Sequence, residues 1–205
     1  MKNNNAKFGL YDSSFETSSC GVGFLTRKDG KQTHELLLLG HEALCAVPHR
    51  GGMSAEGVGD GAGVCVDLSY RFFCKLTGKQ LQVGAFGVGN FFLPDDVDQH
   101  ARAEALIAGA LEHQSMRVIL IRDVDVNNTI VRPAAVRHQQ KIRQWVFVTP
   151  EEVDTVTLDQ QIYQSLLQIE AEAFTQPALQ GLYPLSLSRK TQVLKGRLNS
   201  NEILP

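Results

Sequence analysis

Residues 19–24 read Ser19-Cys20-Gly21-Val22-Gly23-Phe24, and two glycine-rich segments follow them along the chain. The first is His49-Arg50-Gly51-Gly52, and the second is Gly57-Val58-Gly59-Asp60-Gly61-Ala62-Gly63. Cys20 opens an apolar run to Thr26 that is typical of a strand. Glycine adopts backbone angles closed to other residues and lets a neighbour approach closely, so both later segments are predicted to be loops.

Cys20 has two interpretations. It can be a small buried strand residue, because cysteine is among the most buried residue types. It can also be a nucleophile, which needs an activating base because an ordinary thiol is only about a few per cent thiolate at neutral pH. No histidine adjoins Cys20 in the sequence, so the base has to come from elsewhere in the fold or from the α-amino group of Cys20 itself. Cleavage after Ser19 would free that amino group, whose ordinary pKa is about 8.

The composition is that of a globular domain. The chain has 205 residues, 43% of them hydrophobic and 20% charged, which is enough for one domain with a substantial core. A formal net charge of -2 indicates neither a nucleic-acid partner nor an acidic membrane surface. The apolar run Leu36-Leu37-Leu38-Leu39 is far shorter than the roughly 20 residues of a membrane helix, and the N-terminus lacks the apolar core of a signal peptide. A cytoplasmic protein is the expectation.

Motifs for metal or nucleotide binding are not found. The cysteines, at positions 20, 45, 65 and 74, show neither CxxC pairs nor zinc-ligand spacing, which indicates reduced thiols and no metal site. His34 and His41 are expected on a helix surface or edge rather than as ligands. Gly87-Val88-Gly89 is not a phosphate loop, because it lacks the Walker lysine and the third glycine of a dinucleotide fingerprint.

Periodicity and turn residues predict an alternation of helices and strands. Helices are predicted over residues 34–47 and 158–174 and from a cap at residues 95–96 to about residue 114, with a short helical turn at residues 70–74. Strands are predicted over residues 20–26, 63–68, 82–93, 116–122 and 144–149, followed by a hairpin of residues 183–187 and 191–194. Thr33 and Asp95-Asp96 are the expected helix caps, and Gly84, Gly87 and Gly89 indicate close packing against another backbone. This order is an α+β pattern.

Short segments along the whole chain form a recognisable series. They are Tyr11-Asp12, Cys20-Gly21-Val22-Gly23-Phe24, His49-Arg50-Gly51, Gly59-Asp60-Gly61-Ala62-Gly63, Gly87-Val88-Gly89, Phe92-Leu93-Pro94, Arg122-Asp123-Val124, Gln144-Trp145-Val146-Phe147-Val148, Ser186-Leu187-Ser188 and Lys195-Gly196. In order and spacing the series resembles the glutamine amidotransferase domain of the glutamate synthase large subunit, a class II amidotransferase and N-terminal-nucleophile hydrolase. The resemblance implies a four-layer αββα sandwich, incomplete here at the C-terminus.

The resemblance also implies a reaction and its residues. Residues 1–19 would be a propeptide, and residues 20–205 the N-terminal portion of the type-2 amidotransferase domain. In that family the freed cysteine attacks the side-chain amide of glutamine, ammonia leaves, and water hydrolyses the glutamyl thioester to glutamate. Cys20 would be the nucleophile, its own amino group the base, and Arg50 its support. Gly59, Asp60 and Gly61 would line the substrate pocket.

Partners and cofactors follow from the same resemblance. It implies glutamine as substrate, a synthase-domain subunit or self-association as partner, and no cofactor in this chain, with FMN and an iron–sulfur cluster only on other domains of a full glutamate synthase. The family's oxyanion Asn-Gly pair and substrate-binding arginine fall beyond Pro205, so the isolated chain is expected to hydrolyse glutamine weakly or not at all. Val58 replaces the threonine common in the family. A second hypothesis, a non-catalytic relative that binds glutamine or a partner subunit, stays open.

Overall fold

The computed structural model describes residues 21–47, 55–59, 61–151 and 153–204. Its helices are α1 His34–Cys45, α2 Tyr70–Thr77, α3 His100–His113, α4 Pro133–Val136 and α5 Thr155–Thr175. Its strands are β1 Ala62–Asp67, β2 Phe86–Phe92, β3 Arg117–Asp123, β4 Ile142–Val148, β5 Tyr183–Ser188 and β6 Thr191–Gly196. Short 3-10 turns cover Val97–Gln99, Pro177–Leu179 and Ser200–Glu202. None of the helices in these ranges is both long and apolar enough to cross a membrane.

The strands form two antiparallel sheets. Four of them make one sheet in the order β3-β4-β2-β5, and β1 and β6 make a second, two-stranded sheet. Strand β2 lies inside the larger sheet between β4 and β5, and its residues Phe86 to Phe91 are all buried. The α+β class with antiparallel sheets is therefore confirmed.

Helices α3 and α5 cover one face of the four-stranded sheet. The core between them and the sheet is aromatic and aliphatic, and its largest members are Phe91, Leu93, Ile107, Leu111, Met116, Trp145, Phe147 and Ile169. Helix α5 begins where it does because Asp154 caps it, accepting hydrogen bonds from the backbone N–H groups of Val156 (3.0 Å) and Thr157 (3.1 Å). Burial of this face fixes both helices on the sheet.

The other face of the large sheet carries a line of polar side chains that we call the polar row. Its members stand opposite one another on β3, β4, β2 and β5, and they are Arg122, Gln144, Asn90 and Ser186. Arg122 Nε donates to Gln144 Oε1 (2.9 Å), and Gln144 Nε2 donates to Asn90 Oδ1 (2.8 Å). Asn90 and Gln144 are buried.

The polar row joins the two sheets at Val193 in β6. Asn90 Nδ2 donates to the Val193 carbonyl oxygen (3.1 Å), and the Val193 N–H donates to Ser186 Oγ (3.0 Å). Buried backbone groups need hydrogen-bond partners, so side chains of the first sheet take the place of a neighbouring strand here. Beside the row, a second apolar cluster contains Leu68, Phe73, Leu81, Phe86, Val88 and Val146.

The prediction of a strand over residues 20–26 is wrong for its described part, residues 21–26. These residues have no regular secondary structure, and the side chains of Val22 and Phe24 are 94% and 91% exposed. A strand needs a neighbouring strand to receive its backbone hydrogen bonds, and none of the described ladders includes this segment. The alternation of apolar residues was therefore not sufficient to predict a strand here.

Two further predictions need correction. Strands β5 and β6 are consecutive, but they are not a hairpin pair: β5 pairs with β2, and β6 pairs with β1. The reason is the turn, where Ser188 Oγ accepts from the N–H groups of Lys190 (3.0 Å) and Thr191 (3.3 Å) and the chain passes to the other sheet. Gly87 and Gly89 make room for the side chains of Phe147, Phe91 and Leu187 rather than for a backbone.

Helix starts follow the predicted caps in one case and not in the other. Thr33 caps α1, with its hydroxyl oxygen accepting from the Leu36 N–H (3.2 Å), as predicted. Asp96 caps the short turn Val97–Gln99 instead of the long helix, and α3 begins at His100. The helix predicted between the cap at residues 95–96 and residue 114 is thus a short 3-10 turn followed by a shorter α-helix.

Candidate functional site

The structure places two of the five predicted site residues, Gly59 and Gly61. Cys20, Arg50 and Asp60 lie outside the described residues, as do residues 1–19. The described part of the predicted site is therefore the surroundings of Gly59 and Gly61.

The glycine segment lies against the end of β6 and the turn that follows it. Ala62 pairs with Gly196 at the start of the β1–β6 ladder. Gly61 has φ +147°, and a Cβ there would lie 3.3 Å from the Gly196 carbonyl oxygen; at Gly63 it would lie 2.6 Å from Lys195 Cβ. Side chains at these positions would separate the two backbones. The glycines thus allow a direct backbone contact between the predicted substrate loop and β6.

The side chain of Asn199 hydrogen-bonds to the glycine segment and packs against it. Its Nδ2 donates to the carbonyl oxygen of Gly57 (3.3 Å). A Cβ on Gly59 would lie 2.6 Å from Asn199 Oδ1 and 2.9 Å from the Leu198 carbonyl oxygen. Asn199 therefore reaches Gly57 and lies directly against Gly59.

A capping box fixes Asn199 itself. Its backbone N–H donates to Glu202 Oε2 (2.8 Å), and its side-chain oxygen accepts from the Glu202 N–H. This reciprocal pair satisfies two backbone N–H donors at the N-terminal end of the short turn Ser200–Glu202. With its oxygen committed to Glu202, the Asn199 amide has its NH₂ group directed at Gly57.

Ion pairs flank the same loop. Arg132 Nε lies 3.8 Å from Glu202 Oε1, and the Glu202 side chain is only 8% exposed. The Arg132 guanidinium also lies beside Gly57, where a Cβ would come within 3.2 Å of Nη1. Arg137 Nη2 bonds Glu56 Oε2 at 2.9 Å, but both side chains are exposed, so that pair adds little.

Helix α1 contacts the site through His41. Its Nε2 lies 3.2 Å from the carbonyl oxygen of Ser200 and 3.5 Å from Cys45 Sγ. His41 therefore joins α1 to the turn after β6. Within the described ranges, no three His, Cys, Asp or Glu side chains lie close enough together to hold a metal ion.

The predicted site did not include Asn199, Glu202 or Arg132. One local signal was available for the first two, because asparagine followed three residues later by glutamate is a capping-box pattern. No local signal points to Arg132, which comes from the loop before α4. Together these side chains contact and position the glycine-rich loop. Such a loop presents backbone N–H and C=O groups, which can hydrogen-bond the polar groups of an amino acid.

The chain is similar to a known family over nearly its whole length. The model of that family, described as "Glutamine amidotransferases class-II", matches residues 20–204. Among relatives, the glutamate synthase [NADPH] large chain of Bacillus subtilis is 30% identical over 200 residues, which is 95% of this chain and 13% of that protein.

Two eukaryotic relatives show the same extent of similarity. The glutamate synthase [NADH] of Schizosaccharomyces pombe is 31% identical, over 92% of this chain and 9% of its own length. The ferredoxin-dependent glutamate synthase 1, chloroplastic/mitochondrial, of Arabidopsis thaliana is 31% identical, over 95% of this chain and 12% of its own length. The chain thus spans about a tenth of the length of these curated relatives.

Proposed function

Because the chain belongs to the glutamine amidotransferases of class II, we propose that it carries the glutaminase chemistry of a glutamate synthase. The observation that carries this proposal is the extent of the family match, which begins at residue 20, the cysteine itself, and runs to residue 204. Similarity to glutamate synthases over more than nine tenths of the chain supports the same substrate, glutamine.

In the proposed mechanism Cys20 is the nucleophile. Removal of residues 1–19 frees its α-amino group, which takes the thiol proton while the sulfur attacks the side-chain carbonyl carbon of glutamine. The ammonium group then returns the proton to the leaving nitrogen, and ammonia departs from a glutamyl thioester. Water hydrolyses the thioester to glutamate and restores the thiol. Arg50 supports Cys20, and Gly59, Asp60 and Gly61 line the pocket.

The remaining features belong to the same proposal. We assign residues 1–19 to a propeptide and residues 20–205 to a portion of the amidotransferase domain with a four-layer αββα sandwich. Two antiparallel sheets joined by the polar row, with α3 and α5 outside one of them, support that arrangement. No cofactor is assigned to this chain, and FMN and an iron–sulfur cluster belong to other domains of a full glutamate synthase. The proposed partner is a synthase-domain subunit or a second copy.

The test combines intact-mass measurement with an ammonia-release assay. The full chain is expressed in a host that processes it, and we expect loss of residues 1–19 together with weak glutamine-dependent ammonia formation. Cys20→Ser changes one atom and should abolish ammonia release while leaving the fold intact. Cys65→Ser is the matched control, because Cys65 is an exposed thiol in β1, and it should release ammonia at the rate of the unsubstituted chain.

Three outcomes would count against the proposal. Ammonia release by a chain that retains residues 1–19 would exclude the α-amino base. Full activity in Cys20→Ser would exclude that nucleophile. A processed chain that binds glutamine in a calorimeter but releases no ammonia would favour the non-catalytic binding protein.

A further inference from the structure

The turn that follows β6 brings together four separate parts of the chain. Asn199 and Glu202 belong to the turn, Gly57 to the loop before β1, Arg132 to the segment before α4, and His41 to α1. Residues from such distant positions meet only if the turn has a fixed conformation. The capping box between Asn199 and Glu202 supplies that conformation.

Asn199 forms hydrogen bonds through its backbone N–H and through both the oxygen and the nitrogen of its side-chain amide. Its N–H and its side-chain oxygen are both bonded to Glu202, and its Nδ2 donates to the Gly57 carbonyl oxygen (3.3 Å). The first two bonds hold the turn, and the third holds the loop. Asn199 is therefore the link between a fixed turn and the glycine segment.

Asn199 is one of several restraints on the glycine segment, in which Val58 is buried and Ala62 pairs with Gly196. Glycine loses more conformational freedom on folding than any other residue, and this segment has glycine at positions 57, 59 and 61. The absence of a Cβ at Gly59 is what lets Asn199 Oδ1 and the Leu198 carbonyl approach. A loop of this composition samples many conformations unless contacts of this kind select one.

We propose that Asn199 is a positioning residue for glutamine binding, which holds the loop at Gly57 and Gly59 in the conformation that accepts the substrate. The inference rests on the proposed function, in which Gly59, Asp60 and Gly61 line the glutamine pocket. Asn199 acts through the loop and does not touch the reacting atoms. If the bond to Gly57 is lost, only a fraction of the molecules holds the competent loop, and the apparent affinity falls by that fraction.

The decisive variant is Asn199→Asp, compared with Asn201→Ala. Aspartate keeps an oxygen for the Glu202 N–H but replaces the donor to Gly57 with a second oxygen, so the turn is retained and the loop contact is lost. We expect the KM for glutamine to rise by about 2- to 12-fold, the range that a hydrogen bond of about 0.5–1.5 kcal/mol represents, with kcat within twofold of wild type. Asn201 is an exposed asparagine of the same turn, and its replacement should change neither constant.

Hydrogen exchange measured by mass spectrometry on the full chain gives an independent readout. In Asn199→Asp the peptides that cover residues 55–63 should exchange faster, whereas peptides from α5 should exchange at the wild-type rate. Faster exchange with an unchanged KM would overturn the link to glutamine, and unchanged exchange would overturn the loop contact itself. If the wild-type chain neither releases ammonia nor binds glutamine, the proposed function fails, while faster exchange in the variant would still support the loop contact.

Discussion

At the scale of single residues, the space beside Gly87 decides which side chains the central strand tolerates. Gly87 lies in β2 opposite Phe147 of β4, and a Cβ there would overlap the Phe147 ring. Phe147 is fully buried in the core beneath α3 and α5. The ring cannot move aside without displacing other core side chains.

We therefore expect Gly87→Ala to lower the free energy of unfolding by about 1–3 kcal/mol, the usual cost of overpacking a filled core. Urea unfolding followed by the fluorescence of Trp145, the chain's single tryptophan and a fully buried one, measures the change. An unchanged midpoint would mean that the Phe147 ring is not held where the structure places it.

The same substitution in α3 should have the opposite effect. Gly109 is exposed inside the helix, and a Cβ there would meet no atom within 4 Å. Alanine favours a helix interior over glycine by about 0.5–1 kcal/mol. Gly109→Ala should therefore raise the free energy of unfolding by about that amount, measured under the same conditions.

At the scale of elements, an ion cluster ties the first turn of α5 to the turn between β5 and β6. Arg189 Nε and Nη2 bond the two oxygens of Asp159 at 2.6 and 3.1 Å, and Nη2 also donates to the Thr155 carbonyl oxygen (3.1 Å). Lys190 Nζ bonds Asp159 Oδ2 at 2.7 Å. The hydrogen bonds from Arg189, with a smaller contribution from Lys190, hold the pKa of Asp159 below its usual value.

Asp159→Asn should destabilise the protein near neutral pH, because it leaves the Arg189 guanidinium, which is 8% exposed, without its countercharge. We expect a loss of about 1–2 kcal/mol, less than for a fully buried pair because the Asp159 side chain is 40% exposed. Lys190→Gln removes an exposed partner and should cost about 0–1 kcal/mol. Equal losses in the two variants would contradict the role given to Arg189.

The same pair predicts a pH dependence. A carboxylate whose folded-state pKa is lowered stabilises the protein above its unfolded pKa, about 3.9 for aspartate, and the contribution is lost as the pH falls through the lower folded value. The stability difference between wild type and Asp159→Asn should therefore be full at pH 6–7 and shrink on acidification below about pH 4. Urea midpoints across that range measure it.

Elements were predictable from the sequence where the signal is local. Thr33 marks the start of α1, and the predicted strands at 63–68 and 116–122 agree with β1 and β3 to within a residue. Pairing was not predictable, because the partner of a strand is chosen by burial against distant residues; this is why the interpretations of residues 21–26 and of β5 with β6 were wrong. The candidate site shows the same contrast between local and long-range signals. The capping box of Asn199 is a local pattern, whereas its bond to Gly57 joins residues 142 positions apart.

At the scale of the whole molecule, the polar row determines how the two sheets hold together. Asn90 is fully buried and bonds both Gln144 of its own sheet and Val193 of the other. A buried polar group that loses its hydrogen-bond partner destabilises the folded state by its full desolvation free energy. Truncation of one side chain of the row therefore leaves several buried polar groups without a hydrogen-bond partner.

Asn90→Ala should lower the free energy of unfolding by about 1–3 kcal/mol, because it leaves Gln144 Nε2 and the Val193 carbonyl without this partner. Asn128→Ala, in the exposed loop after β3, is the control and should change stability by less than about 0.5 kcal/mol. Urea titrations followed by both Trp145 fluorescence and far-ultraviolet circular dichroism compare the two. A loss no greater than that of the control would show that the row is dispensable.

The β1–β6 ladder can form only after a delay during synthesis, because its two strands lie far apart in the sequence. Asp67 pairs with Thr191 and Ala62 with Gly196, so β1 leaves the ribosome long before its partner has been translated. At roughly 5–20 residues per second, the wait is on the order of ten seconds. During that interval the backbone of β1 has no β6 to bond, and the neighbouring glycine loop has no Asn199. We expect this nascent segment to be the part of the chain that a chaperone protects during synthesis.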